Sequence, residues 1–166
     1  MRCNALFFVV SPLLASAFNI IVSNDDGWAE QNVRTLIKTL TKAGFDTVLS
    51  SPAENQSGTS SSDTPPKTVG SSGCQFGSCP AGSPATGFNA SDTKLNYVNS
   101  YPVTAIRYGI ETLAPRFFGG EPDIAVTGPN VGSNLGLAVL VSGTVGAATE
   151  AVKQGKWYYL PTRTKP

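Results

Sequence analysis

The run Ile20-Ile21-Val22-Ser23-Asn24-Asp25-Asp26-Gly27 constrains this chain most, because an apolar β-branched stretch ends in two adjacent acids and a glycine. The stretch reads as a buried strand. The segment from Glu30 to Ala43, with Val33, Leu36, Ile37 and Leu40 at helical spacing and Gly44 as a stop, reads as the helix that follows. Strand, tight turn and helix in that order suit an open parallel α/β sheet, where ligands bind beyond the carboxyl ends of the strands. Asp25 and Asp26 fall at that end. Neighbouring carboxylates repel unless a cation or proton intervenes, so oxygen coordination of a hard divalent metal is the direct chemical reading. A solvated turn with a helix cap accounts for the same residues.

Composition narrows the chemistry. With 166 residues and 40% hydrophobic content the chain is compatible with one globular domain. Lys and Arg total 12 against 11 acids, so no basic field exists to track a nucleic-acid backbone or anionic lipid, and polymeric nucleic acid is not an expected partner. Histidine is absent, which excludes His-based zinc sites, Ser-His-Asp triads and phosphohistidine intermediates. Arg2, the apolar Ala5 to Ala15 stretch and Ala15-Ser16-Ala17 read as an export signal over 1–17, too short and interrupted for a stable membrane anchor. A buried first strand or helix is the competing reading. Secretion would leave Cys74 and Cys79, five apart in a Gly-Ser-Pro-rich loop, as a small surface disulfide. Sequons for N-glycosylation occur at Asn55-Gln56-Ser57 and Asn89-Ala90-Ser91, the first usable only if Ser57 is not part of a site.

Further along, Phe45 to Ser50 predicts a second strand, followed by a polar loop, Ser51 to Gly58, at the same sheet edge as Asp25. A flexible linker explains Ser57 to Ser62 as well. Asp63 to Ala90 is rich in Pro, Gly, Ser and Thr and reads as an irregular excursion. A short strand around Leu95 and Tyr97 leads to a helix opened by Tyr101-Pro102, carrying Val103, Ile106, Ile110 and Leu113 on one face and ending at Pro115. Asp123 to Thr127 predicts another buried strand, ending in Gly128-Pro129-Asn130-Val131-Gly132. Asn130 could offer its amide oxygen to a hard cation or simply occupy a left-handed turn. Ser142-Gly143-Thr144 precedes a small-residue helix from Val145 to Val152, either an anion seat at a helix start or an ordinary N-cap.

Together these pieces resemble the SurE family of metal-dependent nucleotidases and acid phosphatases, in particular its exported fungal-type members. Ser23-Asn24-Asp25-Asp26-Gly27 is similar to the family's opening motif, and Pro52 through Ser57-Gly58 to its second-strand loop. Gly128 to Gly136 is similar to its Asn-centred turn, and Ser142 to Ala148 to its phosphate-side helix start. Tyr101-Pro102-Val103-Thr104 stands where the family carries Thr-Pro. The resemblance runs from about Asn19 to Gly155 and implies a Rossmann-like three-layer αβα fold with a mostly parallel sheet, here incomplete at its C-terminal end.

By that resemblance Asp25, Asp26, Ser57 and Asn130 ligate one divalent cation, Mg²⁺ or Mn²⁺, with Asp25 and Asp26 as the catalytic pair. Asn24, Asn134, Ser142, Gly143 and Thr144 lie at the phosphoryl group. The implied reaction is hydrolysis of nucleoside monophosphates or other phosphomonoesters, and full-length relatives are expected to form homo-oligomers. The tail departs from the pattern: residues 18–155 fit the family domain in part, whereas 156–166 do not look like its next strand. A truncated, non-catalytic product that keeps the metal ligands is therefore the alternative. A phospho-accepting signalling domain would also gather acids at strand ends, but the export signal and the Asn130 turn disfavour it.

Overall fold

The computed structural model describes residues 17–132 and 134–160. The expected export segment, apart from its last residue, and the last six residues of the chain lie outside the described residues.

Six strands form one sheet: β1 (Asn19–Ser23), β2 (Asp46–Pro52), β3 (Thr86–Asn89), β4 (Asp92–Val98), β5 (Ile124–Thr127) and β6 (Trp157–Tyr159). Their spatial order is β3-β4-β2-β1-β5-β6. Every pairing is parallel except the β3–β4 hairpin. Helix α1 (Gln31–Lys42) crosses from β1 to β2, while α2 (Pro102–Tyr108), α3 (Ala114–Phe118) and α4 (Gly143–Lys153) follow later strands. The result is the expected α/β Rossmann-like architecture.

Side-chain alternation along β1 splits the core into two layers. Ile20 and Val22 pack with Val33 and Ile37 of α1, Leu49, Trp28 and Tyr97 on one face. Ile21 packs on the other with Val48, Ile106, Ile110, Leu113 and the small residues Ala147 and Ala151 of α4. A central strand buried on both faces must be apolar throughout, which is why β1 reads as a continuous run. Because β2 lies on one side of β1 and β5 on the other, the chain reverses direction of sheet growth at β1. Such a switch point leaves a crevice at the carboxyl end of the strand, where Asp25 and Asp26 sit.

Three expectations are corrected. Pro115 does not end the α2 helix: a π-type turn, Gly109–Leu113, follows, and helical structure resumes as α3 with Pro115 in its first turn. A proline is tolerated there because the first turn needs no backbone N–H donor. Next, the excursion from Asp63 to Ala90 is not irregular throughout, since β3 pairs antiparallel with β4 and the Ser91 N–H donates to Asn89 Oδ1 at 2.8 Å in the connecting turn. Finally, Trp157–Tyr159 in the tail does form a strand, paired parallel to β5 with Ile124 opposite Trp157. Three consecutive aromatics favour extended backbone whatever follows them. Among the described residues no helix is long and apolar enough to cross a membrane.

Candidate active site

The two acids are among the most enclosed polar residues of the chain, each about 2% exposed. Their turn is held from within. Asn24 donates from Nδ2 to the Gly27 carbonyl at 3.2 Å and accepts the Gly27 N–H at Oδ1 at 3.3 Å. The Asn24 N–H in turn donates to Ser51 Oγ on β2. Asn24, expected at the phosphoryl group, thus has its side chain engaged in bracing the turn that carries the acids.

Each carboxylate is fixed by a different element. Asp25 accepts from the start of α4, with the Thr144 hydroxyl 2.5 Å from Oδ1 and the Thr144 N–H 3.1 Å from Oδ2. Free N–H groups at a helix start favour a carboxylate there. Gly143 makes this approach possible: a Cβ at that position would lie 2.9 Å from Asp25 Cβ and 3.0 Å from Pro102 Cγ. Ser142 caps α4, its Oγ accepting the Val145 N–H at 3.1 Å. Asp26 accepts the Val131 N–H at 2.7 Å, which ties it to the turn after β5. Burial is the largest influence on Asp26 and pushes its carboxyl up to about 6; the Val131 N–H opposes this, while Asp25 and Glu30 add to it. A carboxyl so raised lacks a compensating positive charge.

Asn130 is nearly buried. Its Nδ2 donates to Asn134 Oδ1 at 3.3 Å and to the Gly132 carbonyl at 3.4 Å, so its amide oxygen remains uncommitted among the described residues. Ser57 is exposed, and no hydrogen bond of its hydroxyl joins it to this group among the described residues. Its loop nevertheless reaches the site, because the neighbouring Gln56 N–H donates to the Asp25 carbonyl at 2.7 Å. The structure therefore brings Asp25, Asp26, Asn130, Asn134 and Thr144 together and leaves the Ser57 side chain at the rim.

Unmet hydrogen bonding concentrates at this edge. Among the described residues four buried side-chain polar atoms lack a partner: Ser23 Oγ, Thr127 Oγ1, Asn134 Nδ2 and Gln75 Oε1. Ser23 and Thr127 are opposite each other at the ends of β1 and β5. Asn134 belongs to the Asn130 turn, and Gln75 lies against Gly27. Orphaned polar atoms are costly in a protein interior, so their gathering around two buried acids marks a place built for a polar ligand. Ser23, Thr127 and Gln75 were not among the residues expected from sequence. The only sequence signal for the first two is a hydroxyl closing an apolar strand run; Gln75 carried none.

The donor set fits a hard divalent cation, since carboxylate, amide and hydroxyl oxygens at one edge suit Mg²⁺ or Mn²⁺ better than softer metals. No cluster of three or more His, Cys, Asp or Glu occurs among the described residues, so the further ligands of such an ion would be amide, hydroxyl or water oxygens beside the two acids.

An ion network fastens the outer side of the site. Arg107 of α2 pairs with Asp63 at 2.8 Å and Glu150 of α4 at 2.7 Å, and Thr104 Oγ1 donates to Asp63 at 2.7 Å. Ser60, between Ser57 and Asp63, donates from its N–H to the Val141 carbonyl and from Oγ to the Leu140 carbonyl. On the far side, Cys74 and Cys79 are joined in a disulfide.

Comparison with known proteins gives a consistent result. The profile of the family described as "Survival protein SurE" matches residues 20–157. An acid phosphatase of Yarrowia lipolytica is 38% identical over 143 residues, covering 84% of this chain and 40% of that protein. A 5′-nucleotidase SurE of Gloeobacter violaceus is 35% identical over 138 residues, covering 82% of this chain and 46% of its own length. The crystal structure of a SurE protein from Aquifex aeolicus superposes with a TM-score of 0.61 at 25% identity, over 86% of this chain and 48% of that one. The chain thus spans less than half the length of these relatives.

Proposed function

The chain belongs to the SurE family, and from that premise we propose that it is a phosphomonoesterase of the nucleotidase and acid phosphatase type, acting on nucleoside monophosphates with Mg²⁺ or Mn²⁺. The observation that carries this reading is the pair of buried carboxylates at the sheet's switch point, surrounded by unpartnered polar atoms. Asp25, Asp26, Asn130 and Ser57 are the proposed ligands. A cation held there would supply Lewis acidity and lower the pKa of a water molecule, which lets hydrolysis proceed without histidine.

The chain's own residues would do the rest. Asp25, fixed by two bonds from Thr144, orients the attacking water. Asn134 offers its unpartnered Nδ2 to a phosphoryl oxygen. Thr144 acts through Asp25, and Ser142 and Gly143 shape the helix start that borders the phosphoryl group. The water oxygen bonds to phosphorus, the ester P–O bond breaks, and the alcohol leaves with a proton while phosphate is released. The disulfide supports the further proposal that the protein is exported to an oxidising compartment.

A second reading has its own observation. Leu135, Leu137, Leu140 and Val141 beside the site, and Trp157 to Tyr159 on the edge strand, are all exposed apolar or aromatic side chains. This surface favours a chain that keeps the ligands but not a complete substrate pocket. Hydrolysis of p-nitrophenyl phosphate and AMP by the purified chain, with and without Mn²⁺ or Mg²⁺ and alongside thermal unfolding, separates the two. Metal-dependent release of phosphate from a cooperatively folded chain is the expected result, and a folded chain without turnover overturns it in favour of the second reading.

A further inference from the structure

The loop closed by the Cys74–Cys79 disulfide lies against the turn that carries the acids. Gly27 has φ +111°, and a Cβ built on it would lie 2.0 Å from Gln75 Oε1 and 3.3 Å from the Glu54 carbonyl carbon. The Gln75 amide therefore occupies the space directly over Gly27. Its oxygen is buried without a hydrogen-bond partner, so what that end of the side chain contributes at this place is the space it fills. The loop is also anchored around that turn, to the end of β2 and to Trp28. The Gln75 N–H donates to the Ala53 carbonyl at 3.2 Å, next to the Pro52 carbonyl that accepts the Trp28 N–H at 2.8 Å. The Trp28 indole donates to Ser78 Oγ at 2.9 Å. Cys74 itself is buried in the core cluster that contains Trp28.

We propose that Gln75, presented by the disulfide loop, is a positioning residue for the acidic pair: it closes the space over Gly27 and so fixes the turn that aims Asp25 and Asp26. The inference rests on the metal-binding reading for its functional half, but its structural half stands on contacts alone. A side chain does this job better from a closed loop, because the disulfide lowers the chain entropy lost when residue 75 is fixed in place on folding. Turn and loop together then form one rigid unit, with Trp28 as its shared floor.

The test compares Gln75→Ala, the near-isosteric Gln75→Met and Phe76→Ala in the otherwise intact chain. Phe76 is 73% exposed on the same loop and serves as the control. Two quantities are read: hydrogen exchange at the Gly27 and Trp28 amides, and Mn²⁺ affinity from the loss of the free-ion resonance signal. Gln75→Ala is expected to speed exchange at both amides and weaken Mn²⁺ binding about 10-fold, as loss of an outer support does. The unfolding midpoint should hardly change. Gln75→Met should restore both quantities and Phe76→Ala should leave them unaltered. Exchange unchanged in Gln75→Ala, or Gln75→Met behaving like Gln75→Ala, overturns the inference. Faster exchange with unaltered Mn²⁺ affinity overturns the positioning role. A wild-type chain that binds no Mn²⁺ overturns the phosphatase reading instead, and the exchange result then decides the role of Gln75 in the turn.

Discussion

The acidic pair is flanked by two stretches built in opposite ways. On one side, Asn24 to Gly27 and the start of α4 are specified atom by atom: Asn24 bonds Gly27, Thr144 bonds Asp25 twice, and Gly143 admits the contact. On the other, Leu135 to Val141 forms a 3-10 turn, Gly136–Leu140, whose Leu137 side chain is 83% exposed. The first region holds its geometry by side-chain bonds, whereas the second, tied to the Ser60 loop through its carbonyls, presents apolar side chains to solvent. The geometry of the acids is thus fixed by bonds between two distant stretches of the chain, while the apolar stretch beside them is left open to solvent.

The largest expected effect is on the specified side. Asp25→Asn keeps the shape but removes a charge that Thr144 and the helix start are arranged to receive. Metal-dependent phosphate release should fall by more than the roughly 10–100-fold that loss of a supporting contact costs, with circular dichroism unchanged. Retained turnover would break the ligand assignment. Gly143→Ala tests the same region by packing. The added Cβ meets Asp25 Cβ at 2.9 Å and Asp25 Oδ2 at 3.1 Å, so Asp25 or α4 must shift. A loss of about 1–3 kcal/mol of stability by denaturant titration is expected, together with loss of most activity. An unaffected variant would show that this side is looser than its contacts imply.

These two regions also differ in how far the sequence revealed them. Strand β1, helix α1 and the order of later motifs were legible because apolar spacing records burial directly, as Val33 and Ile37 illustrate. The parallel α/β class followed from that, whereas the three-layer architecture and the grouping of Asp25, Asp26 and Asn130 were expected from the family resemblance. The partners of the acids followed from neither: nothing local in Thr144 says that its hydroxyl will reach Asp25, 119 residues away. Asn24 was expected to face a phosphoryl group, yet a short amide next to a glycine turn satisfies its own backbone first. Gln75 was invisible for a similar reason, since its importance depends on where a disulfide loop lands. Pro115 misled because a proline that ends one helix can equally begin another.

A moderate effect is expected between the two regions, where Arg107 joins the Ser60–Asp63 loop to α4. The Asp63 carboxyl is held below its usual range, first by the Thr104 hydroxyl; burial opposes this, and the hydrogen bond and charge of Arg107 and the charge of Lys153 add to the lowering. Burial alone would raise Glu150, but hydrogen bonds from Arg107 and Gln154 and the charges of Arg107 and Lys153 together leave it lowered. Depressed carboxyls stabilise the fold above their unfolded values, about 4, and the contribution fades as pH falls through the lower folded values. The unfolding midpoint should thus drop as solutions are acidified below about pH 4, and Glu150→Gln should flatten that limb while lowering the midpoint near neutrality. An acid limb identical in the variant would remove Glu150 from the linkage.

The smallest effect on folding belongs to the apolar side. Leu137 is already 83% exposed, so Leu137→Lys loses little buried area and should move stability by no more than about 0.5 kcal/mol. Its consequence should appear in association. Contiguous exposed apolar residues draw molecules together, and a lysine set among Leu135, Leu140 and Val141 must be desolvated before that surface can close. Sedimentation velocity should therefore show less self-association for Leu137→Lys than for the parent chain at equal concentration, with unfolding almost unchanged. If stability collapsed instead, the stretch would be core in solution, and the contrast between a self-specified side and an uncovered one would disappear.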